Sequence, residues 1–273
     1  MGEAEPQTRS SLVRDLRALG LAAGSTVLLH ASLRALGWVC GGAPTVVRAL
    51  LDVLGEGGTL VVPAFSRDNR DPSRWSHVRV PESWWPTIRA ELPAFDPAVT
   101  PCRELGLIAE TVRTWPGAAR SGHPQTSFAA VGARAAELTA RHPITSEIGP
   151  ESPLGAVESV GGETLLLGVG YDRCTAFHLA EYRLPGLGRR TNRCVVTTPE
   201  GRREWISYPA AVLDDRDFAE LGKDFESLST GTVRTGGVGA GAARLFPVAA
   251  AVTYAESWLP RHRQTSECGR SPG

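Results

Sequence analysis

Two stretches of this sequence gather residue types that can move protons or hold an anion. The first runs Gly168-Val169-Gly170-Tyr171-Asp172-Arg173-Cys174-Thr175-Ala176-Phe177-His178-Leu179-Ala180-Glu181-Tyr182-Arg183. It follows the apolar run Leu165-Leu166-Leu167, and the ends of buried strands are where α/β sheets collect ligands. Residues 175–183 read as a helix stopped by Pro185 and Gly186. On that helix His178 and Glu181, three apart, share a face, and Thr175 precedes His178 by one turn. A carboxylate beside an imidazole favours its charged form and orients the ring, which suits a general base working near neutral pH. A surface helix with an incidental ion pair has the same pattern. Cys174 also has two readings. Near a histidine it is a candidate nucleophile for an acyl-enzyme; at a strand-to-helix junction it is equally a small buried thiol.

The second stretch is His30-Ala31-Ser32-Leu33-Arg34-Ala35-Leu36-Gly37-Trp38-Val39 with Gly41-Gly42. A strand ends at a histidine and a hydroxyl, and a loop with free backbone amides leads to a helix, an arrangement able to hold phosphate. It is neither a Walker loop nor the dinucleotide-binding glycine fingerprint. By itself it also describes a strand-to-helix turn with a satisfied core histidine. A third group is acidic and aromatic: Asp68, Asp71, Glu82, Trp84, Trp85 and Asp96. Carboxylates between aromatic walls suit a polycationic sugar, and they also suit a solvated charged loop. Asp214, Asp215 and Asp217 read as acids at a helix N-terminus.

The elements that must position these groups follow from periodicity. Leu12, Val13, Leu16 and Leu19 give a first helix between Ser10 and Gly20. Residues 26–30 read as a buried strand, Pro44 opens a helix closed by Gly55, and residues 59–62 form a second strand, together a βαβ unit. Residues 65–101, with five prolines after Pro72 and several aromatics, read as one long irregular segment of functional character. Helices are expected at 104–114, 133–140, 214–228 and 249–259. Strands are expected at 127–131 and 163–169, in a hairpin about Pro199-Glu200-Gly201, and in glycine-rich runs ending near Val238 and Pro247. The fold class expected is α/β, a single domain with a mixed central sheet flanked by helices, spanning residues 8–260, with a flexible tail at 261–273.

Composition narrows the function. The 273 residues bury a sizeable core without staples. Apolar residues are 42% and charged residues 21%, as in a soluble enzyme. Zero net charge, from 29 basic and 29 acidic residues, argues against a broad nucleic-acid surface. Five cysteines with no C-x-x-C spacing indicate neither a disulfide framework nor a zinc site. No apolar run is long enough to span a bilayer, and the polar first ten residues lack the regions of a signal peptide, so a cytoplasmic location is expected.

Taken in order, several segments resemble the aminoglycoside 3-N-acetyltransferase family along nearly the whole chain, from about residue 11 to 258. They are His30-Ala31-Ser32-Leu33 with Gly37-Trp38-Val39 and Gly41-Gly42; Pro63-Ala64-Phe65; Pro72-Ser73-Arg74-Trp75; Pro81-Glu82-Ser83-Trp84-Trp85; Pro93-Ala94-Phe95-Asp96-Pro97; Arg120-Ser121-Gly122-His123-Pro124 with Ser127-Phe128; Ser152-Pro153-Leu154; and Thr175 through Arg183. The resemblance implies acetyl-coenzyme A as cosubstrate, no metal, and transfer to the 3-amino group of an aminoglycoside, a resistance activity. It implies His178 as the base, with Glu181 and Thr175 beside it. It places the coenzyme on His30, Ala31, Ser32, Leu33, Arg34, Gly37, Trp38 and Val39; the acidic and aromatic residues Asp68, Asp71, Glu82, Trp84, Trp85 and Asp96, with Asp172, are expected to meet the polyamine. The chain departs from the family at Pro101 to Gly106, and at Pro150, where many members have an acid; Glu151 is the expected substitute. No nucleic-acid or membrane partner is expected, and the chain is read as a monomer or homodimer. Another amine acceptor, or a non-catalytic ligand-binding role, is compatible with the same fold.

Overall fold

The computed structural model describes residues 5–75, 78–228 and 231–267. Helix α1 (Arg9–Ala18) starts at Thr8, whose side chain accepts from the Ser11 amide while Ser11 Oγ accepts from the Thr8 amide. This reciprocal cap satisfies two orphan donors. Strand β1 (Thr26–Ala31), helix α2 (Ala43–Leu54) and strand β2 (Thr59–Pro63) form the expected βαβ unit with the two strands parallel. There follow α3 (Trp85–Glu91), α4 (Gly106–Arg113), β3 (Ala119–Arg120), β4 (Phe128–Gly132), α5 (Ala135–Thr139), α6 (Pro153–Ser159) and β5 (Glu163–Leu167). The chain ends with α7 (Ala176–Arg183), β6 (Arg189–Thr197), β7 (Arg203–Ala211), α8 (Phe218–Leu228), β8 (Arg234–Val238), β9 (Gly241–Pro247) and α9 (Val248–Glu267).

Seven strands make one mixed sheet in the order β3-β4-β2-β1-β5-β9-β8, with β1 parallel to both β2 and β5. Successive side chains of a strand face opposite sides, and the core divides accordingly. Val27, Leu29, Leu60, Val62, Leu165 and Leu167 pack with α1, α2 and α4. Leu28, Val61 and Leu166 pack with α5 to α9. The result is the expected α/β architecture, a sheet covered by helices on both faces.

Two expectations from the sequence are corrected, and one helix is added to them. Residues 65–101 are not wholly irregular: they hold α3 and short 3-10 turns at Pro72–Arg74 and Glu82–Trp84. Helix α6 was not anticipated, because seven residues opened by Ser152 and Pro153 are too few to show a helical period. Helix α9 does not end at Leu259. It runs through Pro260 to Glu267, although a proline removes one ladder bond. Tertiary contacts hold the turn beyond it: the His262 ring stacks on Trp258 at 3.7 Å, and Arg263 is bound on three sides, as set out below. Residues 268–273 of the expected tail lie outside the described residues. Among the described residues no helix is long and apolar enough to cross a membrane.

The hairpin β6–β7 forms its own two-stranded sheet, sewn to residues 65–101. The Asn69 side chain donates to Val195 O and accepts from Val195 N, each at 2.9 Å, and Arg203 and Trp205 both donate to Arg89 O at 2.7 Å. Beneath the hairpin lies a histidine pair, His123 buried and His142 half-buried, with ring centroids 4.8 Å apart. His123 Nδ1 accepts from the Gln125 and Thr126 amides at 3.1 Å, so its Nε2 carries the proton and donates to Ile144 O. His142 Nε2 donates to Glu147 O, leaving Nδ1 to accept from the Ser121 hydroxyl at 2.8 Å.

Both rings are therefore neutral. Burial, with His142 nearby, pushes His123 down to about 3, and burial brings His142 to about 4. An unfolded histidine titrates near 6.5. Between that value and the folded ones the unfolded chain binds more protons, so stability falls as pH falls below about 6.5. The two rings together are expected to cost roughly 3 kcal/mol between pH 7.5 and 5.5. Urea denaturation at the two pH values measures this, and coincident midpoints would refute it.

Candidate active site

Strand β1 delivers His30 to the edge of the sheet where the parallel strands end. The register pairs His30 with Leu166 and Ala31 with Leu167, so β1 and β5 open at the same place. Ser32 N extends the pairing to Leu167 O at 3.0 Å. Gly168 then turns with φ +68°, and a Cβ there would lie 2.6 Å from that of Ala35. Only glycine lets the chain leave β5 this close to the 3-10 turn Leu33–Leu36. A further turn, Tyr171–Arg173, leads to α7. There Phe177, Leu179 and Ala180 face the core, with Thr175 and His178 left at the site.

His178 Nδ1 lies 2.5 Å from Glu181 Oε2. Glu181 is 4% exposed and its other oxygen accepts from Arg263 Nη1 at 2.5 Å and the Asp214 amide at 3.1 Å. A carboxylate so surrounded by donors acts as acceptor toward His178. The Nδ1 proton is thereby fixed, and the Nε2 lone pair is left as the basic position. Phe218 packs against the ring at 4.7 Å between centroids. The predicted one-face constellation is thus brought together, and a second histidine joins it: His30 Nε2 is 3.1 Å from Thr175 Oγ1. Burial, then the charges of His178 and Arg173, push His30 down to about 3, so it is a neutral ring.

Two clefts meet at this point. One, of about 500 Å³, runs along His30, Ala31, Ser32, Leu33 and Arg34 and the start of α4 from Glu104 to Ala109. The other, of about 270 Å³, contains Thr175 and His178 and is closed by the hairpin at Arg190 and Ala211. His30, Pro63, Leu105 and Arg173 border both. The first cleft offers apolar walls at Leu33, Leu107 and Val169, with Arg34 and Arg173 beside them. That combination fits a pantetheine arm and phosphates, and coenzyme A is accommodated by the residues present.

The remaining predicted site residues divide. His30 to Arg34 border the first cleft, whereas Gly37, Trp38 and Val39 do not: Gly37 N donates to Arg34 O, and the backbone about Val39, through Trp38 O and Cys40 N, pairs with Gln7 and fixes the N-terminal segment. Asp172 borders the second cleft. Asp68, Asp71, Glu82, Trp84, Trp85 and Asp96 border neither. Asp68 pairs with Arg103 at 2.6 Å, and Asp71 takes Arg89 on both oxygens at 2.9 Å while capping the turn at Pro72. Trp85 lies under Arg89, Trp84 is exposed, and Asp96 caps Ala98 N. Glu151 sits outside the clefts on Arg141.

The carboxylates that do face the second cleft beside Asp172 are Glu147 and Asp215, with Arg67, Arg70, Arg173 and Arg190 around them. Sequence reading missed Glu147 and these arginines. Glu147 is buried, which raises its titration, and Tyr208 and Asn192 donate to its Oε1. No local pattern marks it, since its partners come from the distant hairpin. Cys174 is 1% exposed and burial pushes its thiol up to about 12. A thiol that stays protonated is a poor nucleophile, so the buried-cysteine reading prevails.

The fold and the paired clefts belong to the α/β acyltransferases. Residues 28–260 match the aminoglycoside 3-N-acetyltransferase family, and the chain belongs to that family. The SPbeta prophage-derived aminoglycoside N(3')-acetyltransferase-like protein YokD of Bacillus subtilis (strain 168) is 41% identical over 255 residues, covering 93% of each chain. Its crystal structure superposes with a TM-score of 0.90 over 94% of each chain, at 40% identity. Aminoglycoside N(3)-acetyltransferase VII of Streptomyces paromomycinus is 38% identical over 269 residues, covering 93% of this chain and 92% of its own. The solved binary complex of AAC-IIIb with CoASH matches with a TM-score of 0.81 at 33% identity, over 94% of this chain and 98% of that one.

Proposed function

We propose that the protein transfers the acetyl group of acetyl-coenzyme A to the 3-amino group of an aminoglycoside, conferring resistance, with His178 as general base. The observation that carries this reading is the His178–Glu181 pair in the second cleft, one helical turn from the Thr175–His30 contact on the wall shared with the first. Coenzyme occupies the first cleft and the amine enters the second; the structural relative AAC-IIIb is solved as a binary complex with CoASH. Glu147, Asp172 and Asp215 meet its ammonium groups.

His178 Nε2 takes the proton shed by the attacking nitrogen. As the new C–N bond forms and the C–S bond breaks, the imidazolium returns a proton to the departing thiolate. The mechanism uses the His30 tautomer that donates from Nε2 to Thr175 Oγ1, which leaves the Thr175 hydroxyl proton for the developing oxyanion. One such donor contributes on the order of 3 kcal/mol, and holding both reactants together supplies much of the rest. The buried Cys174 supports direct transfer rather than an acyl-enzyme.

The test is thiol release from acetyl-coenzyme A across aminoglycosides with and without a 3-amino group, with the acetylated position mapped. Acetylation at the 3-amino group alone is expected; turnover indifferent to that group sinks the assignment. Four arginines around the second cleft favour a second reading, an acceptor whose amine stands beside a phosphate or carboxylate. The same panel extended to acidic amines separates the two.

A further inference from the structure

The C-terminal helix reaches the back of the catalytic pair, and the geometry points to Arg263 as a positioning residue that sets both the orientation and the basicity of His178. This rests on His178 being the base. Every nitrogen of the guanidinium is engaged. Nη1 donates to Glu181 Oε1 at 2.5 Å, Nε and Nη2 clamp Asp217 at 2.7 and 2.8 Å, and Nη2 also donates to Asp214 O at 2.7 Å. The planar fork of arginine matches such a set where the ammonium of lysine makes fewer directed bonds.

Two consequences follow for the reaction. Glu181 Oε1 is taken by Arg263 and the Asp214 amide, so Oε2 is the oxygen turned to His178, and the carboxylate is held against rotation. The cation also shares the negative charge of Glu181. A buried carboxylate facing imidazolium alone would hold the His178 proton strongly and make it a weaker donor to the leaving thiolate. The charged and titratable groups around the pair are His30 on β1, Arg67 and Arg70 after β2, Glu147 before α6, Asp172 and Arg173 before α7, Arg190 on β6, and Asp214, Asp215, Arg216 and Asp217 before α8. His30 is neutral and Arg173 pairs with Asp172, so among the described residues Arg263 is the cation in contact with Glu181. Asp217 serves it in turn, fixing the fork from the far side.

The experiment measures kcat, KM for acetyl-coenzyme A and the pH profile of kcat/KM for Arg263→Met, Arg263→Lys and His178→Ala, using an aminoglycoside acceptor in excess. Arg263→Met is expected to lower kcat about 10- to 100-fold, with KM for acetyl-coenzyme A within about twofold. Its acid limb is expected to move up by about one pH unit. Arg263→Lys keeps the charge and is expected to recover the limb and most of kcat. An unchanged kcat and limb in Arg263→Met, with His178→Ala inactive, overturns the proposal. So does a loss of kcat with an unmoved limb and no recovery by lysine, which marks a structural role only. Near-normal turnover in His178→Ala shows instead that the base assignment has failed, and this proposal with it. Should Arg263→Met not fold, Asp217→Asn is expected to shift the limb the same way by a smaller amount, and an unmoved limb there overturns the proposal.

Discussion

His178→Ala is expected to lower kcat by about 10²- to 10⁴-fold, the range that a positioned general base supplies, in a protein that remains folded. The two halves of this expectation have separate causes. An amine is protonated near neutral pH and is no nucleophile until a proton leaves. His178 presents its Nε2 in the second cleft with Nδ1 committed to Glu181, and among the described residues no other imidazole there is equivalent: His30 is half-buried and neutral with its Nε2 on Thr175. The fold survives because removal of the ring does not strand Glu181, which keeps Arg263 and the Asp214 amide. Steady-state kinetics at saturating concentrations of both substrates, with circular dichroism and a thermal melt as folding controls, measure the effect. Turnover within a few-fold of the wild type would remove His178 from the mechanism.

Glu181→Gln is expected to act nearly as strongly, on the order of 10²-fold or more in kcat, although it changes almost no volume. The neutral amide no longer compels the proton onto His178 Nδ1. It can turn its own NH₂ toward the ring, which stabilises the tautomer with the proton on Nε2 and removes the basic lone pair from the cleft. The proposed mechanism has both residues serve one proton transfer, so the double variant His178→Ala/Glu181→Gln is expected to be scarcely worse than His178→Ala. Losses that multiply in the double variant would show two independent roles. A separate stability loss is expected in Glu181→Gln, since Arg263 exchanges a carboxylate for an amide while retaining Asp217. The thermal melt separates that loss from the catalytic one.

Much of the frame is legible in the chain itself. Residues 26–62 alternate and repeat strongly enough to dictate the βαβ unit, and the run 163–167 dictates β5, because buried parallel strands are apolar throughout. Helical spacing alone puts His178 and Glu181 on one face, and the 2.5 Å contact follows from it. The same spacing leaves a catalytic pair and a surface ion pair indistinguishable. That distinction depends on burial, and the burial of Glu181 is made by α8 and α9, which lie at least 30 residues further along.

The acidic and aromatic segment shows the converse. Asp71 and Trp85 are the residue types that bind polyamines, yet the fold turns them onto Arg89, while Glu147, unmarked in the sequence, faces the second cleft. The amino-acid sequence by itself therefore determined the longer strands and helices and the local His178–Glu181 pair, since these depend on hydrophobic period and spacing of three or four residues. Tertiary structure alone decided which carboxylates face the cleft, that His30 joins Thr175 across 145 positions, and that Arg263 stands behind Glu181. Those relations exist only when distant segments share one sheet edge, and no local pattern encodes that proximity.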